Sequence, residues 1–225
     1  EDTFVSVSPG VRIVSSAPEQ DSQVKIIRRT GAEASDAIVI RVPQDLRNPS
    51  ALIAAPDPRL VASGPHGSLP RIARDGARPA DIYARPAGLD TRLPPGAPRL
   101  ALVVNGLGIN PQASAQAIKI LPPAVTLAYS PYASRIEDQA EQARLAGHEL
   151  LLQVPMEGFV PSQELGARAL LVGASRERNR DALYWHMSRF QGYIGLTHYL
   201  GGRFMASTNA FMPLLQDVAE RGLVF

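Results

Sequence analysis

Leu100-Ala-Leu-Val-Val104, followed at once by Asn105-Gly-Leu-Gly108, is the stretch that decides the fold class. A continuous apolar run of this length, closed by glycines, is the pattern of a parallel strand buried on both faces. Downstream the same alternation repeats. Pro111 to Leu121 has helical spacing at Ala113, Ala117 and Ile120, and Val125 to Ala128 reads as a second buried strand. Ile136 to Ala146 reads as a helix stopped by Gly147, and Leu150-Leu-Leu152 as a third strand. Arg178 to Phe190 predicts a helix, Tyr193 to Thr197 a fourth strand, and Thr208 to Arg221 a last helix carrying Pro213 inside it. Strands alternating with helices predict an α/β architecture on a parallel sheet, open or closed into a barrel. In such folds the chemistry lies in the loops at the C-terminal ends of the strands.

Upstream of Arg99 the composition is different. Residues 43–98 hold 11 of the 20 prolines and show no sustained helical or alternating period, so they read as a linker or wrap. Leu60, Leu69, Ile72, Ile82 and Tyr83 recur too regularly for a pure spacer and predict packing against the rest of the chain. Residues 1–42 carry four short β-type runs, Phe4 to Val7, Val11 to Val14, Val24 to Ile27 and Ile38 to Val42. Turn residues separate them, which predicts a small β element built of hairpins. The division expected is therefore 1–42, 43–98 and 99–225.

Over all 225 residues, 45% are hydrophobic and 20% charged, which excludes whole-chain disorder. Glycine and proline together make up about 17% of the chain, so turns and extended connections are plentiful. The net charge is +2 and the basic residues are interleaved with acids, so nucleic acid is not an expected partner. No apolar run reaches the roughly 18 residues of a membrane span. The absence of cysteine removes disulfides, thiolate metal sites and a thiol nucleophile.

Four segments stand at the predicted strand ends: Asn105-Gly-Leu-Gly108, Ser130-Pro-Tyr132, Gln153-Val-Pro-Met-Glu-Gly158 and His198-Tyr-Leu-Gly-Gly-Arg-Phe204. The two glycines at 106 and 108 lack the third glycine and the Gly-Lys of a phosphate loop. In order and spacing the segments resemble the divergent polysaccharide deacetylase family, a branch of the NodB-type carbohydrate esterases. That family reads Asp-Asp-hydrophobic-Gly, then "VTLAxxPY", "GHEhhLHhPME" and "NNHxGSRFT". This chain has Val103-Val-Asn-Gly-Leu-Gly108, Val125-Thr-Leu-Ala-Tyr-Ser-Pro-Tyr132, Gly147-His-Glu-Leu-Leu-Leu-Gln-Val-Pro-Met-Glu157 and Thr197-His-Tyr-Leu-Gly-Gly-Arg-Phe204. The resemblance covers residues 99–225. It implies a NodB-like distorted β/α barrel, incomplete at its C-terminal side because Gly222-Leu-Val-Phe225 reads as the start of another buried strand.

The departures from the family pattern fall on its chemistry. The resemblance implies a divalent metal held by carboxylate and imidazole, with a second carboxylate as base. Asn105 and Gly106 stand at the two acidic positions, Gln153 at one histidine position and Tyr199 at the other, with His198 one place earlier. These residues offer no ordinary ligand set, and Asn is no base near neutral pH. No metal or other cofactor is expected, and His66, His148, His186 and His198 have no close ligand spacing. Glu157 reads either as a base in a rearranged site or as a carboxylate fixing the loop after Pro155. His198 reads either as a polar group of the site or as a satisfied loop histidine. Arg203 reads either as a grip for an anion or as a bridge to Glu157 or another loop carboxylate. Tyr129, Tyr132 and Tyr199 read either as a sugar-stacking wall or as core. His148 is expected to bond the last carbonyls of a helix or to interact with its dipole. The resemblance places such a protein in the periplasm, anchored by a segment outside this sequence. The expected partner is a glycan or an envelope protein complex, and the alternatives are a rearranged active hydrolase and a structural subunit.

Overall fold

The computed structural model describes residues 3–8, 11–15, 26–28, 38–40, 52–86, 100–162 and 165–225. Near the N-terminus, β1 (Thr3–Ser8) pairs antiparallel with β2 (Val11–Ser15), and β3 (Ile26–Arg28) with β4 (Ile38–Ile40). Of the four expected β-type runs, the described parts pair two by two; the rest of residues 1–42 lies outside the described residues. Expectations for residues 43–51 and 87–99 lie outside the described residues.

The proline-rich zone contains order that its composition conceals. Val61–Gly64 (β5) and Gly67–Pro70 (β6) form an antiparallel hairpin closed by Gly64-Pro-His-Gly67. A one-turn helix, α1 (Pro79–Ile82), follows, with proline in its first turn. Leu60, Ala73 and Tyr83 are buried together, with Ile82 and Ile194 packed against them. The Tyr83 hydroxyl accepts the Asp57 N–H at 2.8 Å. Ile72 is the exception among the expected contacts, since it stays exposed.

The main unit is a four-stranded parallel sheet in the order β10-β9-β8-β7. Its elements are β7 (Val103–Leu107), α2 (Pro111–Ile120), β8 (Thr126–Tyr129), α3 (Ile136–Leu145), β9 (Leu150–Met156), α4 (Arg176–Met187), β10 (Gly195–Leu200), α5 (Gly202–Ala206) and α6 (Thr208–Glu220). Every expected strand and helix of this region exists. β7 begins three residues later than the apolar run suggested, and β9 extends four residues further. No helix is long and apolar enough to cross a membrane among the described residues.

Side chains alternate across a strand, so register assigns each residue to a face. Leu127, Tyr129, Leu150, Leu152, Val154 and Met156 form one face. They pack with Ile136, Ala140 and Ala143 of α3 and Leu183 and Met187 of α4. Burying each large aliphatic side chain contributes about 1.5–3 kcal/mol, so this helix-covered face is the energetic centre. Thr126, Ala128, Leu151, Gln153, Gly195, Thr197 and Tyr199 form the opposite, inward face.

The described strap is bonded to the end of the sheet remote from the strand-end loops. Arg144 on α3 donates to the carbonyls of Ile53 (2.6 Å), Tyr83 (3.2 Å) and Gly192 (2.8 Å). The Arg85 N–H donates to Glu149 at 3.0 Å, and the Arg85 guanidinium donates to the Gly147 carbonyl at 2.9 Å. Gln191 and Arg221 donate to the carbonyls of Ser68 and Pro70.

Two buried histidines hold the helical layer. His148 donates through Nδ1 to the Val125 carbonyl at 2.8 Å, and its Nε2 faces the Ile118 carbonyl of α2 at 3.4 Å. Its bond therefore goes to the carbonyl just before β8 rather than to the last carbonyls of the helix it follows. His186 donates through Nε2 to the Arg168 carbonyl at 2.7 Å, while its buried Nδ1 has no partner. Burial brings the His186 pKa down from 6.5 to about 4, and shifts His148 in the same direction. Well above pH 6.5 both imidazoles are neutral folded or unfolded, and pH has no effect through them. As pH falls from 6.5 towards 4, the unfolded chain binds a proton that the fold refuses. Stability is then expected to drop by on the order of 3 kcal/mol through His186. Urea midpoints between pH 7.5 and 4.5 test this; a flat profile, or the same slope in His186→Phe, would refute it.

Candidate functional site

The site expected from the strand-end motifs is set by three strands. Gln153 pairs with Thr197 in the β9–β10 register. Tyr129 pairs with Leu152 in the β8–β9 register, so the next residue, Ser130, comes level with Gln153. Ser130, Gln153 and Thr197 therefore form one row across the inward face, spaced by the roughly 4.8 Å between strands. All three are polar and uncharged. Gln153 is only 4% exposed. Ser130 is also buried, and its hydroxyl accepts the Tyr132 N–H at 3.4 Å. Tyr199 follows Thr197 on the same face, partly buried and engaged in an interaction of its own.

Asn105 and Gly106 occupy an irregularity in the β7–β8 pairing between Val104 and Leu107. Both are exposed, and Gly106 has φ +79° with nothing within 4 Å of the position a Cβ would take. That backbone suits glycine, and an L side chain there adopts a left-handed conformation costing about 1–2 kcal/mol.

His198 does not join the row. It stands one residue before Tyr199, and in a strand an offset of one moves a side chain to the opposite face. It is exposed at the rim, donating through Nδ1 to the Leu200 carbonyl at 3.0 Å. The following turn is tight: Leu200 and Gly201 have φ +60° and +70°, and the chain then enters α5.

Glu157 and Arg203 meet. The Arg203 guanidinium donates to Glu157 Oε1 at 2.6 Å, and the Val172 N–H donates to Oε2 at 2.7 Å. The Glu157 backbone donates to the Leu170 carbonyl and accepts from the Phe204 N–H. One carboxylate thus ties the end of β9 to the 170–172 loop and to α5. With both oxygens engaged, it is held as a structural anion rather than aimed at the polar row.

Two aromatic candidates are placed elsewhere. Tyr129, read as either groove wall or core, is fully buried on the helix-covered face, edge-on to Phe190 and with its hydroxyl unpartnered. Period-two alternation puts it with Leu127 and Leu152, and burial pushes its pKa up. Tyr132 leans on Trp185 and His186, and its hydroxyl accepts the Arg168 N–H at 3.1 Å. Neither forms a wall beside Gln153. Tyr199 alone of the three lies on the inward face.

The residues do not fit the metal that the family resemblance implies. The strand-end row supplies an amide and two hydroxyls, and zinc sites are built from Cys, His, Asp and Glu. No cluster of three or more such residues able to hold a metal occurs among the described residues. A cleft of about 190 Å³ lies on the helix side, between α4 and α6, lined by Val172, Arg180, Phe204, Ser207 and Asp217 among others. It contains no residue of the row. Ser130 falls at an unspecified position of its motif and Thr197 replaces an asparagine that the resemblance gives no ligand role, so motif reading passed over both; only the register brings them level with Gln153.

A family model described as divergent polysaccharide deacetylase matches residues 102–225. Among solved structures, an uncharacterized protein, ATU2773 from Agrobacterium tumefaciens C58, is 40% identical with a TM-score of 0.64. The match covers 70% of this chain and 62% of that one, so this chain spans less than two thirds of its relative. No curated protein matches significantly.

Proposed function

The chain belongs to the divergent polysaccharide deacetylase family, and on that premise we propose that it is a catalytically degenerate, glycan-binding protein of the bacterial cell envelope. The observation that carries this is the inward row. Gln153, at one of the positions where the resemblance implies a ligand, lies beside Thr197, with Ser130 next to the strand end, and none of the three is a carboxylate or an imidazole. Such a row binds hydroxyl and amide groups but cannot lower the pKa of a water as a metal does. His198 offers no substitute, being on the other face, and Glu157 is held by Arg203 and Val172. This weighs against the rearranged hydrolase. The periplasmic placement follows from the family alone, with a tether outside these residues as part of the proposal.

One observation favours a second reading, a subunit of an envelope protein complex. Phe159 and Val160 are 74% and 76% exposed at the strand-end rim, and Leu200 packs beside Gly158 with 42% exposure. A lip of this kind suits a protein partner.

Co-sedimentation with insoluble chitin separates the two. The glycan reading expects the protein in the pellet, released by soluble N-acetylglucosamine oligomers. Protein remaining wholly in the supernatant would sink it and leave the complex-subunit reading.

A further inference from the structure

We propose that the cleft between α4 and α6 is a binding site for a small free carboxylate whose apolar body is a little larger than benzene. The cleft has a volume of about 190 Å³ and shares no residue with the strand-end row. A cavity of about 150 Å³ lined by aliphatic and aromatic side chains stays dry and takes up benzene, which sets the scale of the ligand. The floor here is of that kind: Leu170, Leu183, Phe204 and Leu214 line it, and all four are buried. One wall is pinned by the protein itself. The Asn179 carboxamide donates to the Leu171 carbonyl at 2.9 Å and accepts the Leu171 N–H at 3.0 Å, and Glu157 accepts the Val172 N–H at 2.7 Å. The apolar part of a ligand therefore meets a surface already shaped for it.

The rim of the cleft selects the charge. Arg176 and Arg180 line it and both are exposed, so their guanidinium groups stand at the mouth while the apolar residues lie below. Arg180 donates from Nε to the Tyr184 hydroxyl at 2.8 Å and lies 3.4 Å from Asp217 Oδ1. Asp217 is the acid of the lining, so the lining keeps one positive charge, which Arg176 brings. Glu177 and Glu220 come near these arginines but line no part of the cleft. Ser207 stands at the start of α6, where its side chain makes no capping bond, and adds a neutral donor at the same mouth. A carboxylate there meets guanidinium and hydroxyl donors, whereas an ammonium of the same shape meets like charge.

Calorimetric titration of the whole chain with octanoate, octylammonium and acetate tests the proposal. The expected result is octanoate binding at least about tenfold tighter than either of the others, since octylammonium lacks the charge and acetate the apolar body. Arg176→Gln should weaken octanoate binding about fivefold, and Ala210→Leu, which extends a side chain of the lining, about tenfold or more. Methyl spectra of the unsubstituted protein keep the test independent of how the variants fold: the Leu170, Leu183 and Leu214 methyl signals should shift with octanoate and stay in place with acetate. No octanoate binding, equal binding of octanoate and octylammonium, or shifts confined to the exposed Phe159 and Val160 lip would each overturn the site. So would octanoate binding unchanged in both variants. Chitin co-sedimentation reads the glycan proposal separately and does not depend on this result.

Discussion

Replacing Arg144 by methionine is expected to cost about 3–5 kcal/mol of stability and to free the strap for proteolysis. Arg144 is 7% exposed and has no acidic partner among the described residues. Its guanidinium is instead shared among three carbonyls, from Ile53, Tyr83 and Gly192, and lies 5.1 Å from the Tyr83 ring centre. Burial lowers its pKa, the mark of a charge held where water would solvate it better. Methionine refills much of the volume but leaves three acceptors without donors, each costing about 1–3 kcal/mol when buried and unmet. Arg144→Lys is expected to recover only part of the loss, because one ammonium cannot reproduce the fork. Urea denaturation measures the first effect, and cleavage within 53–86 the second. A loss below about 1 kcal/mol with the strap still protected would show that Arg144 is not the clamp.

The other large effect is on turnover. Acetate release from acetylated amino-sugar polymers is expected to equal the buffer rate, with or without added zinc. Without the metal, both the Lewis acid and the activated water are missing, several kcal/mol of barrier with no visible replacement. Restoring Asn105→Asp and Gly106→Asp together is expected not to rescue it. Gln153 and Tyr199 still supply no imidazole, and position 106 has left-handed backbone geometry. The fourfold variant that adds Gln153→His and Tyr199→His is the first expected to bind zinc. Those two positions are diagonal neighbours on one face, within reach of a shared ion. Robust turnover by the unmodified chain, abolished by Glu157→Gln, would establish the rearranged hydrolase instead.

Much of this was readable in the sequence, for definite reasons. Buried parallel strands leave apolar runs, so β8, β9 and the start of β10 announced themselves, and Gly147 marked the end of α3. The start of β7 was misjudged because Leu100 to Leu102 are as apolar as the strand they precede; only pairing with Thr126 shows where the ladder begins. The β5–β6 hairpin was hidden by proline density, although Gly64-Pro-His-Gly67 carries turn chemistry of its own. α5 is five residues long, too short for any period to show. At the site, the motif comparison found Asn105, Gly106, Gln153 and Tyr199, because a missing ligand is visible as a substitution. It could not tell that Tyr129 faces the helices, that His198 faces away from Tyr199, or that Ser130 and Thr197 flank Gln153. Those facts depend on register between strands, which no single strand encodes.

The most direct measurement is calorimetric titration of the metal-stripped chain with zinc, followed by elemental analysis after gel filtration. The expected result is no stoichiometric site tighter than about 10 μM, with any weak uptake unaffected by Gln153→Leu and Glu157→Gln. One zinc per chain surviving gel filtration, and lost in either variant, would contradict the claim that this strand-end site is a hydrogen-bonding surface rather than a metal centre.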